Sequence, residues 1–233
     1  MAQKTETTKD PIANVEDALT KSEIFIEKNR NILLGVVGGI IVVVGGYFAY
    51  KQYVVKPREV EAQSAIFRAE RYFEKDSFNL ALNGKDKAEG FLSIIENYGG
   101  TQTGNLAHYY AGVCYLNLGK YQEAIDQMDQ FDADDIMLAS MALGVKGDAT
   151  MELGKVDEAI DLYVKAAGKN ENSFTTPMYL MKAALAYEGK GDYTKALEAY
   201  NKIRTEFFQS AEGREAEKYI ARAELMLKQK GGK

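Results

Sequence analysis

A run of nineteen residues, Ile32–Tyr50, contains no charged side chain. A helix rises about 1.5 Å per residue, so this run would span roughly 28 Å, close to the hydrocarbon thickness of a bilayer. Its Ile, Leu and Val side chains would supply about −3 to −6 kcal/mol of insertion free energy, which the run's glycines dilute without reversing. The run therefore predicts a transmembrane helix over residues 31–51, in contact with lipid through residues 32–50.

Two other interpretations of this run fit less well. A cleaved signal peptide usually has an apolar core of about 7–15 residues after a short basic segment, and here the run is longer and follows a segment of mixed charge. A buried core helix is the second alternative, but such helices rarely lie between polar segments without one charge of their own. Gly35 and Gly39 form a small-xxx-small pair, which marks a candidate contact between membrane helices, although glycine is also simply common in such helices.

Composition limits what the rest of the chain can be. Residues 51–233 hold 24 basic and 28 acidic side chains, a net charge of −4, which argues against a nucleic-acid partner. The single cysteine cannot form an internal disulfide, and valine is dense only in the apolar run, so the remainder is predicted to be all-α. Before that run, Pro11–Arg30 can form an amphipathic helix, although a loosely ordered tail fits equally well.

Three segments after the apolar run share the same pattern of a glycine followed by an alanine. Glycines at positions 119, 154 and 191 are 35 and then 37 residues apart, and each is followed by a small residue at Ala124, Ala159 or Ala196. Such a period predicts stacked helical hairpins. We expect glycine to end each first helix at positive φ, alanine to occupy a close helix crossing, and a larger residue four positions later (Met128, Tyr163, Tyr200) to fill the space toward the next unit.

These residues resemble the tetratricopeptide repeat (TPR). The resemblance covers about half of the chain closely, with His108 in place of the family's tryptophan, and it implies an all-α solenoid of helical hairpins. The flanking segments look like decayed units. The predicted organisation is a tail (1–30), the transmembrane helix (31–51), a linker helix with a degenerate unit (52–104), three TPR units (105–210), and a capping helix with a short tail (211–233). Within it, the first helix of the first TPR unit is predicted to begin at Asn105, and the capping helix to end at Leu227 before a frayed tail.

Residues that could carry chemistry are scarce. The one histidine, His108, takes a packing position, and without a second histidine neither a Ser-His-Asp arrangement nor a multi-histidine metal site can form. Cys114 has apolar neighbours and is predicted to be a buried thiol. Asp132, Asp134 and Asp135 lack the spacing of a calcium loop. We therefore expect no catalytic residue, metal, cofactor or small-molecule substrate.

TPR proteins usually bind peptide segments in a groove lined by their first helices, so the resemblance implies a candidate partner surface. Methionine is frequent at these positions, and its flexible side chain suits varied apolar partners. The alternative is that these methionines pack between repeats. The candidate positions are Leu106, Tyr109, Val113, Leu116, Met141, Asp148, Met151, Glu152, Met178, Met181, Leu185 and Glu188.

An amino-terminal anchor followed by TPR units is similar to the YfgM-type family of the bacterial inner membrane. That resemblance implies a non-enzymatic scaffold, an ancillary subunit of the Sec translocon, beside a membrane-anchored prolyl-isomerase chaperone. It also implies a cytoplasmic amino terminus and a periplasmic TPR domain. Charge does not decide orientation, because three basic residues flank each end of the run. A structural subunit of a larger envelope or secretion complex and a cytosol-facing docking receptor remain alternatives.

Overall fold

The structure is a computed structural model that describes residues 25–133 and 135–231. It divides into two compact units, of which the first ends at Pro57 and the second begins at Arg58. The described part of the first unit contains the apolar helix α1, Arg30–Tyr50, and a π-helical segment, Lys51–Val55. The amphipathic helix predicted for residues 11–30 lies mostly outside the described residues.

Helix α1 agrees closely with the apolar run. Among the described residues, one helical run, which begins at Arg30, is long and apolar enough to cross a membrane. None of its apolar stretch is buried. This agreement concerns length and composition only, so insertion into a bilayer stays a prediction.

The second unit consists of helices joined by short turns. Within the described ranges there is no strand, only an isolated bridge between Lys85 and Ala88. The helices are α2 (Lys56–Phe73), α3 (Phe78–Asn83), α4 (Phe91–Tyr98), α5 (Gln102–Asn117), α6 (Tyr121–Gln130), α7 (Ile136–Glu152), α8 (Val156–Lys169), α9 (Thr175–Gly189), α10 (Tyr193–Glu206) and α11 (Ala211–Gly231).

Each of the three predicted hairpins ends its first helix in the same way. Gly119, Gly154 and Gly191 have φ of 72°, 77° and 75°, in the left-handed region that favours glycine. In the first hairpin the Lys120 N–H donates to the Tyr115 carbonyl at 2.9 Å and the Gly119 N–H donates to the Leu116 carbonyl at 3.1 Å. The other two hairpins repeat this pair of bonds, which satisfies carbonyls that the helix end leaves open. The predicted role of the glycines is confirmed.

Small residues set how closely the two helices of a hairpin approach. Ala124, Ala159 and Ala196 are fully buried at the start of the second helices α6, α8 and α10. The buried ring of Tyr163 lies against Gly147 of α7. A Cβ added to Gly147 would come within 2.6 Å of that ring. The predicted close crossing, with a large side chain beyond it, is therefore confirmed in this hairpin.

Before the three hairpins, α2, α3 and α4 pack on α5 around an aromatic core. The ring of Phe91 stacks on Tyr110 at 5.0 Å between centroids, and Phe73 meets both rings edge-on. Glu59 of α2 accepts hydrogen bonds from the Thr103 hydroxyl at 2.6 Å and from its backbone N–H at 3.2 Å. Partial burial of Glu59 acts to raise its pKa, but these hydrogen bonds outweigh burial and the net shift is downward.

Two helix boundaries differ from the prediction. Helix α5 begins at Gln102 rather than Asn105, because the Thr101 hydroxyl accepts the Gly104 N–H at 2.9 Å and caps the helix earlier. Helix α11 continues to Gly231 rather than ending at Leu227. Its later turns are held by Lys230, whose Nζ donates to the Gly191 carbonyl at 2.9 Å.

Candidate functional site

The first helices of the hairpins form a continuous row. Helix α5 contacts α7, α7 contacts α9, and α9 contacts α11. Within the described residues the second helices α6, α8 and α10 make no such contact with one another. The first-helix side is therefore the shorter, inner side of the solenoid, and we call it the first-helix surface. All twelve candidate partner residues belong to its helices α5, α7 and α9.

The apolar candidates on this surface are mostly half-buried rather than free. Leu106, Val113 and Met141 pack around the buried Tyr109. Met151 and Met178 pack against the cluster that contains Tyr163 and Tyr179, and Met181 packs against the cluster that contains Tyr200. Leu185 is exposed. Each methionine therefore packs against the core with one part, as expected of a contact between repeats, and is exposed to solvent with another, as expected of a partner surface.

Two acidic candidates are engaged inside the protein. Asp148 accepts the Tyr163 hydroxyl at 2.8 Å and Lys182 Nζ at 2.6 Å. Glu188 accepts the Tyr200 hydroxyl at 3.0 Å and Arg222 Nε at 3.2 Å. In both cases the tyrosine belongs to the second helix of the same unit.

The cation in each case lies 34 residues further along the chain, on the next unit. Partly exposed ion pairs contribute little on their own, about 0–1 kcal/mol. A hydrogen bond from a buried tyrosine to a charged carboxylate contributes more, about 1.5–3 kcal/mol. Asp148 and Glu188 therefore stabilise mainly their own hairpins, and the cation of the next unit adds a weaker link that compensates their charge.

Tyr163 and Tyr200 remain protonated at neutral pH, and their hydroxyls donate to Asp148 and Glu188. Burial is the main reason that the pKa of Tyr163 lies well above its usual range, and the Asp148 carboxylate adds to the shift. Burial also raises the pKa of Tyr200, with a second contribution from its hydrogen bond to Glu188. The raised pKa values of Tyr163 and Tyr200 favour a neutral phenol beside each carboxylate.

One open cavity of about 310 Å³ lies on the first-helix surface, between the first and second hairpins. Four predicted residues line it: Leu116 on α5 and Asp148, Met151 and Glu152 on α7. The sequence analysis missed Asn117, Tyr121 and Tyr163, which complete the lining. The Tyr121 hydroxyl donates to Glu152 at 3.3 Å across this opening. We call it the Met151 cavity, and its mixed lining places the apolar side chains of Leu116 and Met151 beside the exposed carboxylate of Glu152.

Neither the one histidine nor the one cysteine of the chain lines the Met151 cavity. His108 Nδ1 lies 2.9 Å from Gln127 Oε1 on the neighbouring helix, as expected of a packed side chain. Cys114 is fully buried, and burial raises the pKa of its thiol to about 12. In the part of the chain that the structure describes, no group of three or more His, Cys, Asp or Glu side chains could hold a metal ion.

The glycine pair of the apolar helix occupies an open position. Gly35 and Gly39 are exposed on α1, and a Cβ added to either would meet no heavy atom within 4 Å. Space for a second helix exists at this face, and a helix contact there stays a prediction.

Comparison with known proteins agrees with this geometry. Residues 106–133 and 145–212 match two models described as "Tetratricopeptide repeat". The solved TPR-like repeats of a protein from Podosopora anserina, described as a kinesin light chain, are similar. Their TM-score is 0.55 at 16% identity, over 74% of this chain and 89% of that one.

A crystal structure of the MamA protein is also similar, with a TM-score of 0.50 at 18% identity over 75% of this chain and 94% of that one. These identities show the fold alone. No curated protein matches the chain. Together with the hairpin geometry, the matches show that the chain carries tetratricopeptide repeats arranged as an all-helical solenoid.

Proposed function

We propose that this protein is a membrane-tethered TPR scaffold that holds a protein partner on its first-helix surface. The Met151 cavity carries the proposal, because it combines the apolar side chains of Leu116 and Met151 with an exposed acidic side chain on the inner side of the solenoid. TPR units act typically as non-enzymatic interaction modules, and the unburied apolar helix α1 supports a tether. A segment with an apolar anchor residue and a nearby basic or donor group fits this cavity.

The finer part of the proposal concerns place and partner. An amino-terminal apolar helix followed by TPR units is the architecture of the YfgM-type family, and this resemblance supports a role beside the Sec translocon. There the scaffold would assist protein translocation or periplasmic protein folding with a membrane-anchored prolyl-isomerase chaperone. The amino terminus would be cytoplasmic and the TPR domain periplasmic, in the bacterial inner membrane.

A substitution in the Met151 cavity tests partner binding. Met151→Lys replaces an apolar side chain of the cavity by a charged one, and we expect co-purification of the translocon and chaperone subunits in mild detergent to fall at least about tenfold, which corresponds to roughly 1.4 kcal/mol. The matched control is Val164→Lys, an exposed position on the second helix α8. Quantitative mass spectrometry of both variants, with circular dichroism to confirm folding, gives the comparison. Equal recovery of partners from the two folded variants would contradict the proposal.

A fusion experiment tests the orientation. With alkaline phosphatase joined after Lys233, we expect high phosphatase activity, because the enzyme matures only where disulfides form. A fluorescent protein that matures only in the cytoplasm, joined at the same position, should stay dark. A bright, phosphatase-negative result would reverse the orientation and favour the cytosol-facing docking receptor.

A further inference from the structure

A second cavity, in a different part of the solenoid, has the opposite charge. It is the larger of the two, about 630 Å³, and it opens between the end of α2 and the turn that follows α3. Five cations line it: Arg68, Arg71, Lys75, Lys85 and Lys87. Tyr72 and Ala88 add apolar surface, and Asp86 is the one acidic side chain in the lining. We call this cavity the basic cleft, and it shares no residue with the Met151 cavity.

The charge of the basic cleft stands out against its surroundings. Residues 51–233 carry a net charge of −4, so a concentration of five cations is unusual in this domain. Elsewhere the described lysines and arginines often pair with carboxylates, as Lys182 does with Asp148. In the described ranges none of the five cleft cations lies within 4.0 Å of a carboxylate oxygen. The cleft therefore keeps its charge available to an outside group.

One wall of the cleft carries three cations around the end of a helix. Arg68 and Arg71 stand at i and i+3 on α2, and Lys75 lies in the turn that follows the last residue of α2, Phe73. The two arginines are held in place, because the opposite side of α2 buries Ile66 and Ala69 in the core. Three cations along one wall are more than a single phosphate or carboxylate requires.

The other wall is a closed turn. The Lys85 N–H donates to the Ala88 carbonyl at 3.1 Å, and the Ala88 N–H donates to the Lys85 carbonyl at 2.9 Å. Gly84 begins this turn at φ 77°, and a Cβ there would come within 2.1 Å of the Ala88 carbonyl oxygen. The backbone of the turn that carries Lys85 and Lys87 is therefore compact, and it would lose little further freedom on binding.

We propose that the basic cleft binds an acidic segment of a protein partner in extended conformation. Alternate side chains of an extended chain point the same way and repeat at about 6.6–6.8 Å. Carboxylates on one side of the chain would meet Arg68, Arg71 and Lys75, while those on the other side would meet Lys85 and Lys87. Arginine adds bidentate recognition of carboxylates, and the net positive charge would accelerate association. The inference extends the scaffold to a second surface with opposite specificity.

The test uses the full chain in neutral detergent micelles and a fluorescein-labelled oligoglutamate peptide of about ten residues, long enough to cross the cleft. We expect saturable binding by fluorescence anisotropy that weakens as salt rises from low to physiological concentration. Lys85→Glu with Lys87→Glu should weaken binding at least about tenfold. The matched control, Lys165→Glu with Lys169→Glu on α8, makes the same charge change at two exposed lysines and should bind within about twofold of wild type.

A second variant tests the basic cleft without changing the turn that carries Lys85 and Lys87. Arg68→Gln with Arg71→Gln alters the opposite wall and should weaken binding by a similar factor, with helicity and melting unchanged. The proposal is overturned if oligoglutamate binds no better than an oligoglutamine of equal length, or if both cleft variants bind like the control. It is also overturned if soluble short-chain phosphatidylglycerol displaces the peptide completely at equal concentration, because the cleft would then be a lipid headgroup site.

Discussion

Replacing Ala159 with tryptophan should destabilise the middle of the solenoid. Ala159 is fully buried and packs in the same cluster as Tyr163, Tyr179 and Ala183. Inserting a large ring into a well-packed crossing costs about 1–3 kcal/mol and occasionally more. In a domain of this size each kcal/mol lowers the melting temperature by roughly 2–4 °C. Because repeats are stabilised by their neighbours, we also expect the single transition to broaden or split.

The measurement is thermal unfolding of the full chain in detergent, followed by circular dichroism at the helical band. The control is Val164→Trp, which introduces the same ring on the same helix at an exposed position. Surface changes of this kind usually alter stability by less than about 0.5 kcal/mol. If the Ala159 and Val164 variants melted alike, the close crossing of α7 and α8 would not be a stabilising contact.

The fold was predictable because its signals are local. A glycine that needs positive φ, a small residue at a crossing and a larger residue one turn later all lie within a short stretch such as Gly154–Tyr163. This pattern occurs three times in the sequence, and each copy predicts the same hairpin geometry. The end of α11 was missed because Lys228–Lys230 looks like a frayed tail, whereas the contact that holds it is to the distant Gly191 carbonyl.

The candidate site was less predictable because its determinants are distant in sequence. Asp148 and Glu188 were predicted as partner-surface residues, and nothing near them in the chain indicates that Lys182 and Arg222 lie alongside. The period itself offered the signal, since both cations follow their carboxylates by 34 residues. The basic cleft was missed for a related reason: Arg68–Lys75 and Lys85–Lys87 each resemble an ordinary solvated face until folding brings them together.

Placing an arginine at the centre of the apolar run should prevent stable membrane insertion. Ile41 is the middle residue of Ile32–Tyr50 and is exposed on α1. On translocon-based scales an arginine at a helix centre costs about 2.5–3.5 kcal/mol, and the favourable isoleucine contribution is lost as well. A change of about 3–4 kcal/mol is comparable to the whole insertion free energy of the run, about −3 to −6 kcal/mol.

Alkaline carbonate extraction of membranes measures this effect. The wild-type chain should remain in the pellet with its amino terminus unprocessed, and Ile41→Arg should move most of the chain into the supernatant. Tyr53→Arg is the matched control, because it adds the same charge just beyond the run and should extract like wild type. Recovery of the wild-type chain in the supernatant would contradict the tether. Pellet retention of Ile41→Arg would show instead that a partner helix, for which Gly35 and Gly39 leave space, offsets the cost of the charge.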